Sequence, residues 1–187
     1  MAGGAGRSGL KILAVYPGTF DPIHFGHEDI IRRAALLFDG LLIAVYDKPL
    51  KSLLFSPDDR LALVRACVAR MELPNVTITG YSGLTVDFCQ SVGAKVMVRG
   101  LRVFSDFEHE FRIALANHRL KPGIETVSLI TSEQHTFLSS TSVREIASLG
   151  GDVSTMVSAP VAAALKQRFL ELGEDGGKIV AMTSLRD

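Results

Sequence analysis

The residues best placed to do chemistry are Tyr16-Pro17-Gly18-Thr19-Phe20-Asp21-Pro22-Ile23-His24-Phe25-Gly26-His27. The apolar run from Leu10 to Tyr16 reads as a buried strand, and Glu28 to Phe38 reads as a helix. A strand-to-helix junction gathers backbone N–H groups and the positive end of a helix in one crevice. The chemistry it suits is the handling of phosphates. Gly18 is expected to let the backbone approach a bulky anion where a Cβ would clash. Thr19 adds an N–H and a hydroxyl, and Asp21 with the two prolines stiffens the turn. His24 and His27, with Gly26 between them, can face one cleft, and His27 falls in the first turn of the helix. A lone histidine is usually a satisfied polar residue; a pair at such a junction is a stronger signal.

Three further groups could meet the same anions. Arg99 and Arg102, in Val98-Arg99-Gly100-Leu101-Arg102, sit at the end of a strand, where two guanidinium forks can clamp two different anions. Gly100 would let a nucleotide lie against the backbone. The competing reading is an ion-pair network with Asp106, Glu108 and Glu110. Ser139-Ser140-Thr141-Ser142-Val143-Arg144 places N–H and hydroxyl donors at a helix start, suited to a triphosphate tail. Lys51 follows the second strand and can face the same cleft.

The elements that must position these groups alternate along the chain. Strands are expected at Lys11 to Tyr16, Leu41 to Tyr46, Val76 to Thr79, Lys95 to Val98 and Thr126 to Ile130. Between them, helical spacing recurs in Ile30, Ile31, Ala34, Ala35 and Phe38, and in Leu61, Val64, Cys67, Val68 and Met71. Ser56-Pro57-Asp58-Asp59 is a strong helix start. Further helices are expected at Leu84 to Val92, at Phe104 to Leu120 with Phe107, Phe111, Ala114 and Leu115 on one side, from Ser139 or Ser140 to Leu149, and from Pro160 to Leu172. This alternation predicts a single α/β domain, a Rossmann-like doubly wound parallel sheet with helices on both faces. It spans residues 10–172, after a flexible N-terminus at 1–9 and before a tail at 173–187 that holds at most a docking strand at Lys178 to Met182.

With 20 basic and 20 acidic residues among 187, the net charge is zero, which argues against a broad nucleic-acid or membrane surface while leaving room for a small basic pocket. Cys67 and Cys89 fall in apolar helical patterns and read as buried free thiols. No signal peptide or membrane span is expected, since Pro17 interrupts the only apolar candidate near the N-terminus. A reduced, cytoplasmic setting is therefore expected.

The first motif resembles the leading signature of the nucleotidylyltransferase superfamily, and the Ser139 to Arg144 cluster resembles its second. Tyr16-Pro17, Lys51 within Lys48-Pro49-Leu50-Lys51-Ser52, Arg99-Gly100-Leu101-Arg102 and the acidic-aromatic stretch after it together resemble the phosphopantetheine adenylyltransferases, over about Leu10 to Phe169. The resemblance implies adenylyl transfer from ATP to 4′-phosphopantetheine, giving dephospho-coenzyme A and pyrophosphate. It implies Mg²⁺ carried by the ATP phosphates with no metal ligands from the protein, a homohexamer, and coenzyme A as a possible product or feedback ligand. Thr19, Lys51 and Arg99 would hold the attacking phosphate, and Thr85 would meet the pantetheine arm. His27 would donate to the α-phosphate. ATP would contact Thr19, Phe20, His27, Gly100, Leu101, Arg102, Glu110, His135, Thr136, Phe137, Leu138, Ser139, Ser140 and Thr141. The rivals are nicotinate mononucleotide adenylyltransferase, disfavoured by Tyr16-Pro17 and Arg99 to Arg102, and a non-catalytic nucleotide-binding module, disfavoured by the complete charge set.

Overall fold

The computed structural model describes residues 11–48 and 53–173. Lys51 and the docking strand expected at 178–182 lie outside them. Five strands, β1 (Leu13–Gly18), β2 (Gly40–Tyr46), β3 (Val76–Tyr81), β4 (Val96–Leu101) and β5 (Glu125–Ile130), form one sheet in the order β3-β2-β1-β4-β5. Every pairing is parallel. The helices are α1 (Phe25–Leu37), α2 (Pro57–Ala69), α3 (Thr85–Ser91), α4 (Phe104–Leu120), α5 (Ser140–Ser148) and α6 (Ala159–Leu172), with a 3₁₀ turn at Glu133–His135. The doubly wound α/β class expected from strand–helix alternation is the one observed.

Side chains of β1 alternate between two cores. Ala14 and Tyr16 enter a large cluster with Ile30, Ala34, Val64 and Leu165, drawn from α1, α2 and α6. Val15 enters a smaller one with Val86, Cys89 and Met97, beneath α3. Both cysteines are buried and unpaired, and burial pushes each thiol up to about 11. Among the described residues no helix is long and apolar enough to cross a membrane.

The register explains where a ligand can enter. β1 pairs with β2 from Leu13 through Gly18, but with β4 only at Ala14↔Val96 and Val15↔Met97. Beyond those two pairs β1 and β4 part. This is also where strand order reverses, since the chain builds outward from β1 on one side and then crosses to β4. Parallel sheets bind ligands at such switch points, beyond the carboxyl ends of the strands.

Candidate active site

Between the diverging strands lies a hollow of about 970 Å³. Pro17 to Phe20 line it from β1, Arg99, Gly100 and Arg102 from β4 and its exit, and Ser139 to Thr141 from the start of α5, with His24 and His27 from the α1 entry. A second hollow, of about 330 Å³, opens beside β2, β3 and α2; among the described residues its charged lining is Asp47 and Asp58.

The α1 entry is built around its two histidines. His24 caps the helix, its Nδ1 accepting the Gly26 N–H at 3.1 Å, and His27 Nδ1 accepts the His24 N–H at 3.2 Å. The rings lie 3.8 Å apart, centroid to centroid, and 30° from parallel. Because each Nδ1 accepts, each neutral ring carries its proton on Nε2. Burial, then the charges of Arg102 and Arg99, lowers the His27 pKa to about 3, and His24 is lowered chiefly by burial. His27 is thus a neutral Nε2–H donor at physiological pH. Gly26 is needed because a Cβ there would come within 3.0 Å of the His24 ring.

Gly18 has a packing role besides the expected one. A Cβ on it would meet the Phe20 ring at 2.8 Å, so the missing side chain makes room for that ring, and Gly18 itself lines the hollow. Phe20 sits at φ 51°, a left-handed conformation that strains a bulky residue, and is 2% exposed.

A buried polar frame fixes this turn from beneath. Asp21 accepts the N–H groups of Leu54 and Phe55 at 2.9 Å each, pinning the chain just after the segment that carries Lys51. Arg144 from α5 donates to the Asp21 carbonyl and carboxylate and to Thr141 Oγ1, and Ser140 Oγ donates to the Pro22 carbonyl at 2.9 Å. Arg60 from α2, fully buried, donates to the carbonyls of Thr19 at 2.7 Å and Tyr46 at 2.6 Å. On the far side of α1, Asp29 accepts the Ser132 N–H and hydroxyl at 3.1 and 2.8 Å, tying the helix of His27 to the segment after β5. Burial alone would raise the Asp29 pKa, but the bonds from Ser132 and Arg33 together outweigh it and lower it.

Both arginines of the Arg-Gly-Leu-Arg element are already engaged by carboxylates of α4. Arg99 forks Glu110 at 2.6 and 2.7 Å and reaches the Pro17 carbonyl at 3.3 Å. Burial opposes the Arg99 charge, yet the Glu110 bonds and charge raise its pKa. Arg102 holds Asp106 at 3.0 and 3.2 Å and the Leu138 carbonyl at 2.8 Å. The expected ion-pair network is present for Asp106 and Glu110, whereas Glu108 pairs with Arg112; the two paired arginines also line the hollow. The arrangement can bind polyanions and donate hydrogen bonds to a charge developing between them.

Comparison with known proteins decides the family. A cytidylyltransferase-like family model matches residues 15–146. A phosphopantetheine adenylyltransferase of Roseiflexus castenholzii is 53% identical over 157 residues, covering 84% of this chain and 97% of the relative. One from Thioalkalivibrio sulfidiphilus is 51% identical over 160 residues, covering 86% and 99%. The chain belongs to the phosphopantetheine adenylyltransferase family. The fold agrees with that of a Plasmodium falciparum nicotinic acid mononucleotide adenylyltransferase complexed with NaAD, at a TM-score of 0.65 and 12% identity, covering 88% of this chain and 97% of that one.

Most of the expected family residues converge. Thr19, His27, Arg99, Gly100, Arg102, Glu110 and Ser139 to Thr141 line one hollow. The segment His135 to Leu138 does not contribute to that lining. Phe137 is exposed, while Leu138 is buried with its carbonyl on Arg102. Thr85 starts α3 and shares a 2.9 Å bond with the Tyr81 hydroxyl, outside the hollow. Leu101 also lies outside its lining. The expected helix start at Glu28 is too late: His24 caps the helix, so α1 begins at Phe25. β4 likewise runs on to Leu101, so Arg99 and Gly100 lie within the strand. Sequence reasoning missed Arg60 and Asp29. For Arg60 the available signal was its place on the otherwise apolar inward face of α2, with Leu63, Val64, Cys67 and Val68.

Proposed function

We propose that the hollow transfers the adenylyl group of ATP to the phosphate of 4′-phosphopantetheine, releasing pyrophosphate and giving dephospho-coenzyme A. The observation that carries this reading is that His27, Arg99 and the Ser139 to Thr141 helix start share one hollow at the sheet's switch point. Relatives about half identical carry the name of that activity.

The attacking phosphate oxygen is already anionic, so no general base and no covalent intermediate is needed. A P–O bond forms at the α-phosphorus as the bond to the departing pyrophosphate breaks. The barrier lies in bringing two polyanions into line, and positioning with charge neutralisation lowers it. Thr19, Arg99 and Lys51 orient the nucleophile. The neutral His27 Nε2–H donates to the α-phosphate as charge builds, where a donor is worth most in the transition state. Arg102 and the hydroxyls of Ser139, Ser140 and Thr141 hold the outer phosphates. Thr85 stands beside Tyr81 for the pantetheine arm, and the stretch from His135 to Leu138 flanks the nucleotide.

Mg²⁺ enters with ATP, where it shields the phosphates. The two carboxylates lining the hollow, Asp106 and Glu110, are each paired with an arginine, which fits a metal held by phosphate and water oxygens rather than by a protein cage. Residues 10–172 act as the catalytic domain and 173–187 as a tail. The unpaired cysteines support a cytoplasmic setting. Phe104, Phe107, Phe111 and Leu115 are exposed along α4, with successive aromatic rings 6.3 and 5.9 Å apart. Such a stripe supports self-association, for which the family resemblance implies a hexamer. Coenzyme A, which contains the product, is a candidate feedback ligand.

Pyrophosphate release tests the reading. It is expected with ATP and phosphopantetheine, and not with ATP alone or with nicotinate mononucleotide. Release with nicotinate mononucleotide, and none with phosphopantetheine, would overturn it.

A further inference from the structure

Arg99 presents Nε and one terminal nitrogen to the two oxygens of Glu110, and its other terminal nitrogen to the Pro17 carbonyl. That double-pronged edge is also the one a phosphate takes, because two phosphate oxygens offer the same paired acceptors as a carboxylate. The Glu110 side chain is 12% exposed and that of Arg99 27% exposed, so the pair sits in the wall of the hollow rather than on the outer surface. A phosphate arriving beside the intact pair would meet a guanidinium already neutralised and a carboxylate of its own sign. The neighbouring pair differs. Asp106 accepts the backbone N–H of Arg102 as well as its guanidinium, so it is tied into the chain at the start of α4. Glu110 meets Arg99 through side chains alone.

We propose that Glu110 is a positioning residue that occupies the phosphate edge of Arg99 until the attacking phosphate displaces it, and that its release couples the binding of the two substrates. The proposal rests on the reading above that Arg99 receives the phosphate of phosphopantetheine. A carboxylate freed inside the hollow needs hydrogen-bond donors, since a poorly solvated charge without them is costly. A nucleotide in the same hollow supplies them through its ribose hydroxyls or its exocyclic amine. Phosphate on Arg99 therefore prepares Glu110 for the nucleotide, and nucleotide on Glu110 vacates Arg99 for the phosphate. Linkage requires the two effects to be equal, and couplings of this kind are typically about 5- to 150-fold.

Calorimetric titration of the full chain tests this, using phosphopantetheine and α,β-methylene-ATP, each alone and each in the presence of the other. In the wild type each ligand is expected to tighten the other by about 5-fold or more. In Glu110→Gln, phosphopantetheine alone should bind tighter than to the wild type, the nucleotide alone no tighter because its acceptor has lost its charge, and the coupling should fall below about 2-fold. Glu110→Asp, which keeps the charge but shortens the reach, should lose the coupling as well. Coupling retained in Glu110→Gln, or absent from a wild type that binds both ligands, overturns the proposal. A wild type that binds no phosphopantetheine overturns the functional reading, and the proposal with it.

Discussion

The turn between β1 and α1 and the flank formed by α4 border the same hollow but are built in opposite ways. Beneath the turn, Arg60, Arg144 and Asp21 are at most 2% exposed and donate to, or accept from, backbone groups of distant segments. Their partners are fixed by the fold, so the turn is complete in a single chain. On the flank no residue of α4 is buried, its aromatic stripe faces outward, and its Glu110 holds Arg99 through side chains alone. The contrast separates a floor whose partners are fixed by the fold from a wall whose charged pair lines the hollow and whose apolar face is exposed.

The contrast can be broken most severely from below. Arg144→Ala leaves the Asp21 carboxylate buried without its cation, and unpairing a buried ion pair costs about 3–5 kcal/mol. Urea unfolding should show a loss of that size, whereas Phe107→Ala on the flank should stay within about 0.5 kcal/mol for the unassembled chain. The next effect is on acid stability. The folded pKa of His27 lies below its ordinary value of 6.5, so its contribution is complete above pH 6.5 and is lost as pH falls toward the folded value of about 3. His24 is shifted in the same direction. His27 should take away on the order of 1 kcal/mol per pH unit below 6.5, with His24 acting in the same direction, and a series of urea melts from pH 7 to 5 reads the slope, which His27→Gln should reduce.

Smaller again is the effect of Phe111→Glu, expected to reduce assembly in sedimentation velocity while leaving the thermal melt of the dissociated chain nearly unchanged. The smallest belongs to Asp29. Its lowered pKa means a contribution present above its ordinary value of 3.8 and lost as pH falls below it. Asp29→Asn should cost about 1 kcal/mol at neutral pH and flatten the stability profile below pH 4.

The floor was only half legible in the sequence. Asp21 reads as a turn-stiffening residue because it stands between prolines and glycines, and Arg144 falls inside a recognisable Ser-rich helix start. The place of Arg60 on the inward face of α2 marks it as buried, but nothing local announces that it reaches back to Thr19 and Tyr46; that contact depends on how α2 packs over β2. The sheet was legible because apolar β-branched runs alternate with helical spacing. The packing role of Gly18 was not, since the Phe20 ring above it depends on a left-handed backbone that the residue type disfavours. On the flank the aromatic spacing of α4 gave the helix and its shared face, but spacing does not say whether a face meets its own sheet or the surroundings. The proton on His27 Nε2 was likewise hidden, because it follows from the bond that Nδ1 accepts.

The central claim is that the His27 Nε2–H acts on the transition state, and steady-state kinetics of His27→Ala test it most directly. The expected result is a kcat lower by about 10²–10³, the typical loss on removing one such donor, with the KM values for ATP and phosphopantetheine within a few-fold of the wild type. Normal turnover with a raised KM would contradict it.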